Sequence, residues 1–280
     1  MNRHGNLAAV IAVLAVVAIL CACAKQQQEP ANQNQSKPEA EKKRQHQPSR
    51  IGIYRPGQST FYLRYVNAPG IPDLTVPFGG PGDAPLAGDW DGNGTVSIGL
   101  YRPADQVFYL RNSNSTSAPD IVVPFGARGD IAVVGDWNGD GVTTIGVYRP
   151  SQSTFYLRNT NTAGPPDLVV QFGEKGDIPL AGDWDGNGTS TIGIYRPSAS
   201  VFYLRNDNSP GSPDLAVAFG ARGDIPVAGD WDGDGKWSLG TYRPSDSTFY
   251  LRNALSGTVD YIVPFGGPGD IPVVGAWNGR

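Results

Sequence analysis

The stretch from Ile51 to Arg280 contains no cysteine and no histidine, and its single glutamate is Glu174. Without cysteine it has no disulfide, no thiol nucleophile and no thiolate metal site. Without histidine it lacks the usual base that activates a nucleophile. Glu is scarce beside 22 Asp, and Asp bonds its own nearby backbone in turns whereas Glu favours helix. The 37 Gly and 24 Pro of the chain argue the same way: many turns, little helix. Basic residues are also few, 15 Lys/Arg against 23 Asp/Glu over 51–280, a net charge of −8. Such a body repels phosphates, so no nucleic-acid partner is expected. It must stand on packing alone, and its length buries enough core for that.

The first fifty residues are different, with 7 Lys/Arg and 3 acids. Arg3 and His4 precede an apolar run, Leu7 to Cys23, that ends in small residues. A basic start, an apolar middle and a small-residue end describe an export signal. The end, Leu20-Cys21-Ala22-Cys23, resembles a bacterial lipobox, which implies cleavage before a cysteine that then carries lipid. Cys23 fits better than Cys21 because Ala22 is small. The expectation is therefore a signal peptide over 1–22, lipidation at Cys23 and a membrane partner through that lipid. The alternative is an uncleaved anchor, for which 17 apolar residues sit at the short edge. Ala24 rather than Asp follows the cysteine. In a cell with two membranes the resemblance then implies the outer one, with a periplasmic or surface face. Residues 23–50 are expected to be a tether, polar and unable to bury a core. Its Lys42-Lys43-Arg44 cluster is read as linker charge or as a headgroup contact.

From Ile51 onward the chain repeats. Gly88-Asp89-Trp90-Asp91-Gly92-Asn93-Gly94 returns at Gly135, Gly182 and Gly229, 47 residues apart each time. One unit holds four runs rich in β-branched and aromatic residues: strand A at 84–90, B at 96–103, C at 107–112, D at 120–126. Runs of this kind divided by Gly, Pro, Asn and Asp are strand signals. Their near-continuous apolar character implies cover on both faces. Four strands per unit of this length is the period of a propeller blade. The chain enters in mid-repeat with strand B at Ile51 and ends with strand A at Ile271–Trp277. The expected fold is therefore all-β, a five-bladed β-propeller over 51–280, closed by the C-terminal strand A beside the N-terminal strands B, C and D. Tyr-Arg-Pro triplets at Tyr54, Tyr101, Tyr148, Tyr195 and Tyr242 count the five blades. A ring closed this way needs no second copy, so a monomer is expected.

The Asp-x-Asp/Asn-Gly-Asn/Asp-Gly loop and the Phe-Gly that closes strand D (Phe78, Phe125, Phe172, Phe219, Phe265) resemble the FG-GAP/VCBS repeats of integrin-α-like propellers. The resemblance implies Ca²⁺ in the loop. Calcium takes six to eight oxygens from alternate positions of a tight loop with Gly at the sharp turn. Loop one offers Asp89, Asp91 and Asn93, loop two Asp136, Asn138 and Asp140, loop three Asp183, Asp185 and Asn187, loop four Asp230, Asp232 and Asp234. Where the family has Asp at position nine, this chain has Ser97, Thr144, Thr191 and Ser238, read here as neutral, weaker ligands. Loop four carries the most charge and is the best candidate. The other reading of all four loops is a metal-free Asx turn. The fifth loop has Ala276 in place of the first Asp, and no metal is expected there.

The recurrent Trp90, Trp137, Trp184, Trp231 and Trp277 are expected between blades as core, and Trp237, without counterparts, as an exposed aromatic. Arg102, Arg111 and their copies are expected to pair with the repeated Asp83, Asp130, Asp177, Asp224 and Asp270, because buried charges need partners. That makes the Arg-Gly-Asp triplets at Arg128 and Arg222 structural. Catalysis at one centre needs unlike groups to converge, and these repeats are nearly alike, so a binder rather than an enzyme is expected. The ligand is read as glycan or envelope protein, held at repeated clefts between blades whose weak sites sum to avidity. A passive scaffold and a glycoside-acting enzyme are the alternatives.

Overall fold

The computed structural model describes residues 46–277. The signal over 1–22, the lipidation candidate Cys23 and the tether before residue 46 lie outside the described residues. No helix among the described residues is long and apolar enough to cross a membrane.

Strands β1–β20, numbered in chain order, form five four-stranded antiparallel sheets. In the first blade β4 (Ala84–Gly88), β5 (Ser97–Arg102), β6 (Val107–Leu110) and β7 (Ile121–Pro124) realise strands A to D. The second, third and fourth blades repeat this over 131–171, 178–218 and 225–264. The fifth, the closing blade, joins the two ends of the propeller: β20 (Ile271–Gly275) lies beside β1 (Arg50–Arg55), followed by β2 (Thr60–Leu63) and β3 (Leu74–Pro77). The register runs from Arg50 opposite Gly275 to Tyr54 opposite Ile271. The A strands β4, β8 (Ile131–Gly135), β12 (Ile178–Gly182), β16 (Ile225–Gly229) and β20 each touch the A strands of both neighbouring blades. The ring is therefore closed at its centre, and the fold is a five-bladed β-propeller.

Cover on both faces holds for the B strands alone. Five of the six residues of β5 are buried, whereas β6 and β7 alternate and the outermost strands keep exposed positions. An outermost strand has no further sheet beside it, so its apolar run cannot be buried throughout. The core is divided among the seams. Trp90, Tyr101, Phe108 and Leu110 of the first blade pack with Ile145 and Val147 of the second, and each other seam has its own such cluster. The five tryptophans of the loops are at most 4% exposed, as core residues should be. Gly99 in β5 makes room for one: a Cβ there would stand 2.8 Å from Leu110 Cδ2 and 3.0 Å from Trp90 Cζ2.

Candidate functional site

In an antiparallel blade the A–B and C–D loops share one face of the ring, and the B–C and D–A turns share the other. The Asp-rich loops are A–B loops. Their first Asp organises each turn. Asp136 accepts the Gly139 and Asp140 N–H groups on Oδ1 at 2.8 and 3.1 Å and the Gly141 N–H on Oδ2 at 2.7 Å. Asp183 and Asp230 do the same, and Asp89 accepts Asn93 and Gly94. Burial pushes all four carboxyls up, and these backbone donors pull them back in part.

Positions three and five separate the loops. In loop one Asn93 donates to Asp91 Oδ2 at 3.0 Å, in loop two Asn138 to Asp140 at 2.9 Å, in loop three Asn187 to Asp185 at 3.0 Å. An amide and a carboxylate close those loops on themselves. Loop four has Asp232 and Asp234 in the two places, neither of which can donate when ionised. Oxygens of Asp230, Asp232 and Asp234 lie within 4.8 Å of one another. This donor set fits a hard divalent cation, with Lys236 supplying the carbonyl at position seven. The ninth-position ligands need correction. Ser97, Thr144, Thr191 and Ser238 are buried, and their hydroxyls donate to the carbonyls of Arg111, Arg158, Arg205 and Arg252 on the neighbouring strand. Each begins a B strand and faces into the sheet, so it is lost to the loop.

Neighbouring A–B loops clasp one another. The Thr143 N–H donates to the Asp89 carbonyl at 2.7 Å, and the Asp89 N–H donates to Thr143 Oγ1 at 3.0 Å. Ser190 does this for Asp136, and Ser49 for Asp230. Trp237 has no hydroxyl and makes the first bond alone, to Asp183. It is half-buried against the Trp184 cluster rather than exposed. Ser49 was missed as part of the ring because the body was begun at Ile51. Carrying the 47-residue step back from Thr143 through Val96 lands on Ser49.

Two of the seams open outward as clefts. One, of about 470 Å³ between the fourth and closing blades, is lined by Arg55, Tyr62, Ile71, Asp246 and Phe265 among others. Another, of about 340 Å³ between the second and third, repeats the arginine, tyrosine and phenylalanine as Arg196, Tyr203 and Phe172, with the acid supplied instead by Glu174 of the D–A turn. In every blade an arginine at the end of strand B lies over the tyrosine of strand C, 4.4–4.8 Å from its ring centre. The same arginine forks onto the buried Asp of the D–A turn: Arg196 Nε and Nη2 both reach Asp177 at 2.9 Å, and the Glu174 N–H adds a bond at 2.7 Å. Arg55–Asp270, Arg102–Asp83, Arg149–Asp130 and Arg243–Asp224 match it. The hydrogen bond to its aspartate raises each of these guanidinium groups further. The pairing holds each of these guanidinium groups in a rigid fork.

Half of the arginine expectation is corrected. Arg64, Arg111, Arg158, Arg205 and Arg252 do not reach the turn aspartates. They are buried at the other face and hold their own C–D loops, Arg252 by the carbonyls of Gly257 and Leu255 at 3.2 and 3.1 Å. The Arg-Gly-Asp triplets are structural: Asp130 and Asp224 are buried under Arg149 and Arg243 and present no free carboxylate. The Arg–Tyr stacks escaped the sequence reading. Their signal is the diagonal pairing of the two strands, in which Arg55 stands opposite Thr60, two places from Tyr62.

No family model matches the chain, and no curated protein sequence matches it. The FG-GAP/VCBS likeness thus stays a likeness of loops. Among solved structures, an Agrocybe aegerita lectin described as recognising non-reducing terminal N-acetylglucosamine is 18% identical, with a TM-score of 0.43 over 77% of this chain. The Vibrio cholerae (V. cholerae) biofilm matrix protein Bap1 is 14% identical, with a TM-score of 0.30 over 78%. The chain spans 62% and 39% of their lengths. Both likenesses are remote, and the propeller assignment stands on the strand order.

Proposed function

We propose that this chain is an envelope-anchored binding propeller whose seam clefts take carbohydrate, supported by calcium in loop four. The observation that carries the reading is the repeated cleft. Each offers a flat guanidinium fixed on a tyrosine and forked onto an aspartate, and a phenylalanine from the preceding blade. A sugar needs that mixture, an apolar surface for its C–H groups and a few rigid polar groups for its hydroxyls. The cleft volumes suit a small ligand. Near-identical clefts around one ring favour multivalent binding, in which weak sites add to avidity. The turn aspartates support a binder over a glycoside-acting enzyme, since each is already held by an arginine fork. Catalysis needs one raised acid and one free partner.

Loop four holds the cation best, through Asp230, Asp232 and Asp234, and calcium there neutralises facing carboxylates and stiffens the turn. An affinity of about 10⁻⁴–10⁻³ M suits such an extracellular module. The lipid anchor at Cys23 and the outer-membrane placement rest on the signal sequence.

The test is a glycan array probed with wild type and with a five-fold substitution of the strand-C tyrosines Tyr62, Tyr109, Tyr156, Tyr203 and Tyr250 to Ala. Binding by the wild type that the variant loses supports the reading. No glycan bound by the wild type leaves the passive scaffold for envelope proteins in its place, and hydrolysis of any glycoside restores the enzyme.

A further inference from the structure

The C–D loop of the closing blade breaks the symmetry of its face. Tyr65, Val66 and Ile71 are 36%, 48% and 82% exposed. The other four blades have Asn at the place of Tyr65, and Ser113, Thr160, Asp207 and Ala254 at that of Val66. Three of those loops are polar at both places, the fourth has Asn253 and Ala254, and the closing blade alone has large apolar residues at both. Singly exposed apolar residues need no explanation, but three in one loop mark an interaction surface.

That loop also holds the N-terminal entry of the propeller. Asn67 Oδ1 accepts the Ile51 N–H at 3.1 Å, and Asn67 Nδ2 donates to the Ser49 carbonyl at 2.9 Å. Ser49 is in turn clasped to Asp230. The chain therefore leaves the propeller toward its N-terminus on this same face, running from Ser49 over loop four, where Pro48 and His46 lie against Gly233 and Gly235. Between Cys23 and His46 lie 22 residues, a span of at most about 75 Å when extended.

We propose that Tyr65, Val66 and Ile71 form a membrane-contact surface, seated on the bilayer that carries the lipid at Cys23. This rests on the anchored reading above. An aromatic ring with a polar tip beside aliphatic side chains is the composition that enters the headgroup boundary. Tethering keeps the lipid surface at a high effective concentration, so a small patch suffices. The Asp-rich loops of the same face oppose an anionic surface, so the bilayer it fits is zwitterionic. Ile71 is also the lip of the seam between the fourth and closing blades. Membrane contact closes that seam and leaves the cleft between the second and third blades open for ligand.

The experiment uses the full lipidated chain reconstituted into phosphatidylcholine vesicles with brominated acyl chains, which quench tryptophan on contact. Tyr65→Trp is compared with Asn159→Trp, at the same loop position of the second blade, after subtraction of wild-type fluorescence. The expected result is several-fold stronger quenching of the added Trp at 65 than at 159. Protein that floats with the vesicles while neither position is quenched overturns the proposal and leaves the loop to a protein partner. Protein that does not float overturns it by removing the anchor. Glycan binding by the same preparation is untouched in either case, so the two readings fail separately.

Discussion

Loop three reads Asp183-Trp184-Asp185-Gly186-Asn187-Gly188, and loop four reads Asp230-Trp231-Asp232-Gly233-Asp234-Gly235. They differ in one side chain, Asn187 against Asp234. In loop three the amide donates to Asp185 and the turn is closed. In loop four the amide is a carboxylate, and oxygens of three acids lie within 4.8 Å of one another. The same backbone thus carries a turn closed by an amide and a turn that presents three carboxylates. The difference teaches that the scaffold of these loops is set by the first Asp and its bonds to the turn amides. Their chemistry is set by the residue at position five.

Removing the shared part has the largest effect. Asp183→Ala and Asp230→Ala each leave three backbone N–H groups without their acceptor, which costs about 2–3 kcal/mol at partly exposed positions. Urea unfolding in chelator checks this, and equal losses in the two loops are expected. Exchanging the variable part comes next. Asp234→Asn gains about 1 kcal/mol in chelator, since a like-charge contact becomes a hydrogen bond, and it removes the calcium response. Asn187→Asp loses a similar amount and gains a calcium response in loop three, read as a calcium-dependent rise in Tm.

Proton competition sharpens the comparison. Burial raises the first Asp of both loops above its ordinary 3.8. A raised carboxyl favours the folded state most when protonated, so its contribution is complete below 3.8 and is lost as pH climbs through the raised value. In chelator, wild type and Asp234→Asn should therefore both lose stability over that window. In calcium the wild type should reverse the trend, because the ion needs the carboxylates ionised. Thermal melts across the window, with and without calcium, check the sign. The smallest effect is expected from Lys236→Thr, which gives loop four the seventh residue of loop three. A surface charge beside the site is worth a few tenths of a kcal/mol, so calcium should bind about twofold more tightly in a titration.

The ring was legible in the sequence because a fixed step of 47 residues sets every blade, and because the chain starts on strand B and stops on strand A. The tryptophans were legible as core, and one arginine set as partners of the turn aspartates. Direction was not legible. Counting along the loop puts Ser97 at position nine, but the strand that it opens turns its hydroxyl onto Arg111. Counting likewise cannot say which of two arginines reaches a turn. Arg102 and Arg111 lie at opposite ends of the blade, and only the former shares a face with the Asp83 turn. Clefts between blades were expected from the near-identity of the repeats, but the Arg–Tyr stacks that line them were not legible, because they form across two strands of one folded blade.

The claim that a single side chain decides where a cation sits is tested most directly by counting ions. Calorimetric titration of calcium into the chelator-treated wild type should give one ion per chain with an affinity of about 10⁻⁴–10⁻³ M, absent in Asp234→Asn. Four equivalent ions per chain, or a single ion that survives Asp234→Asn, would contradict it.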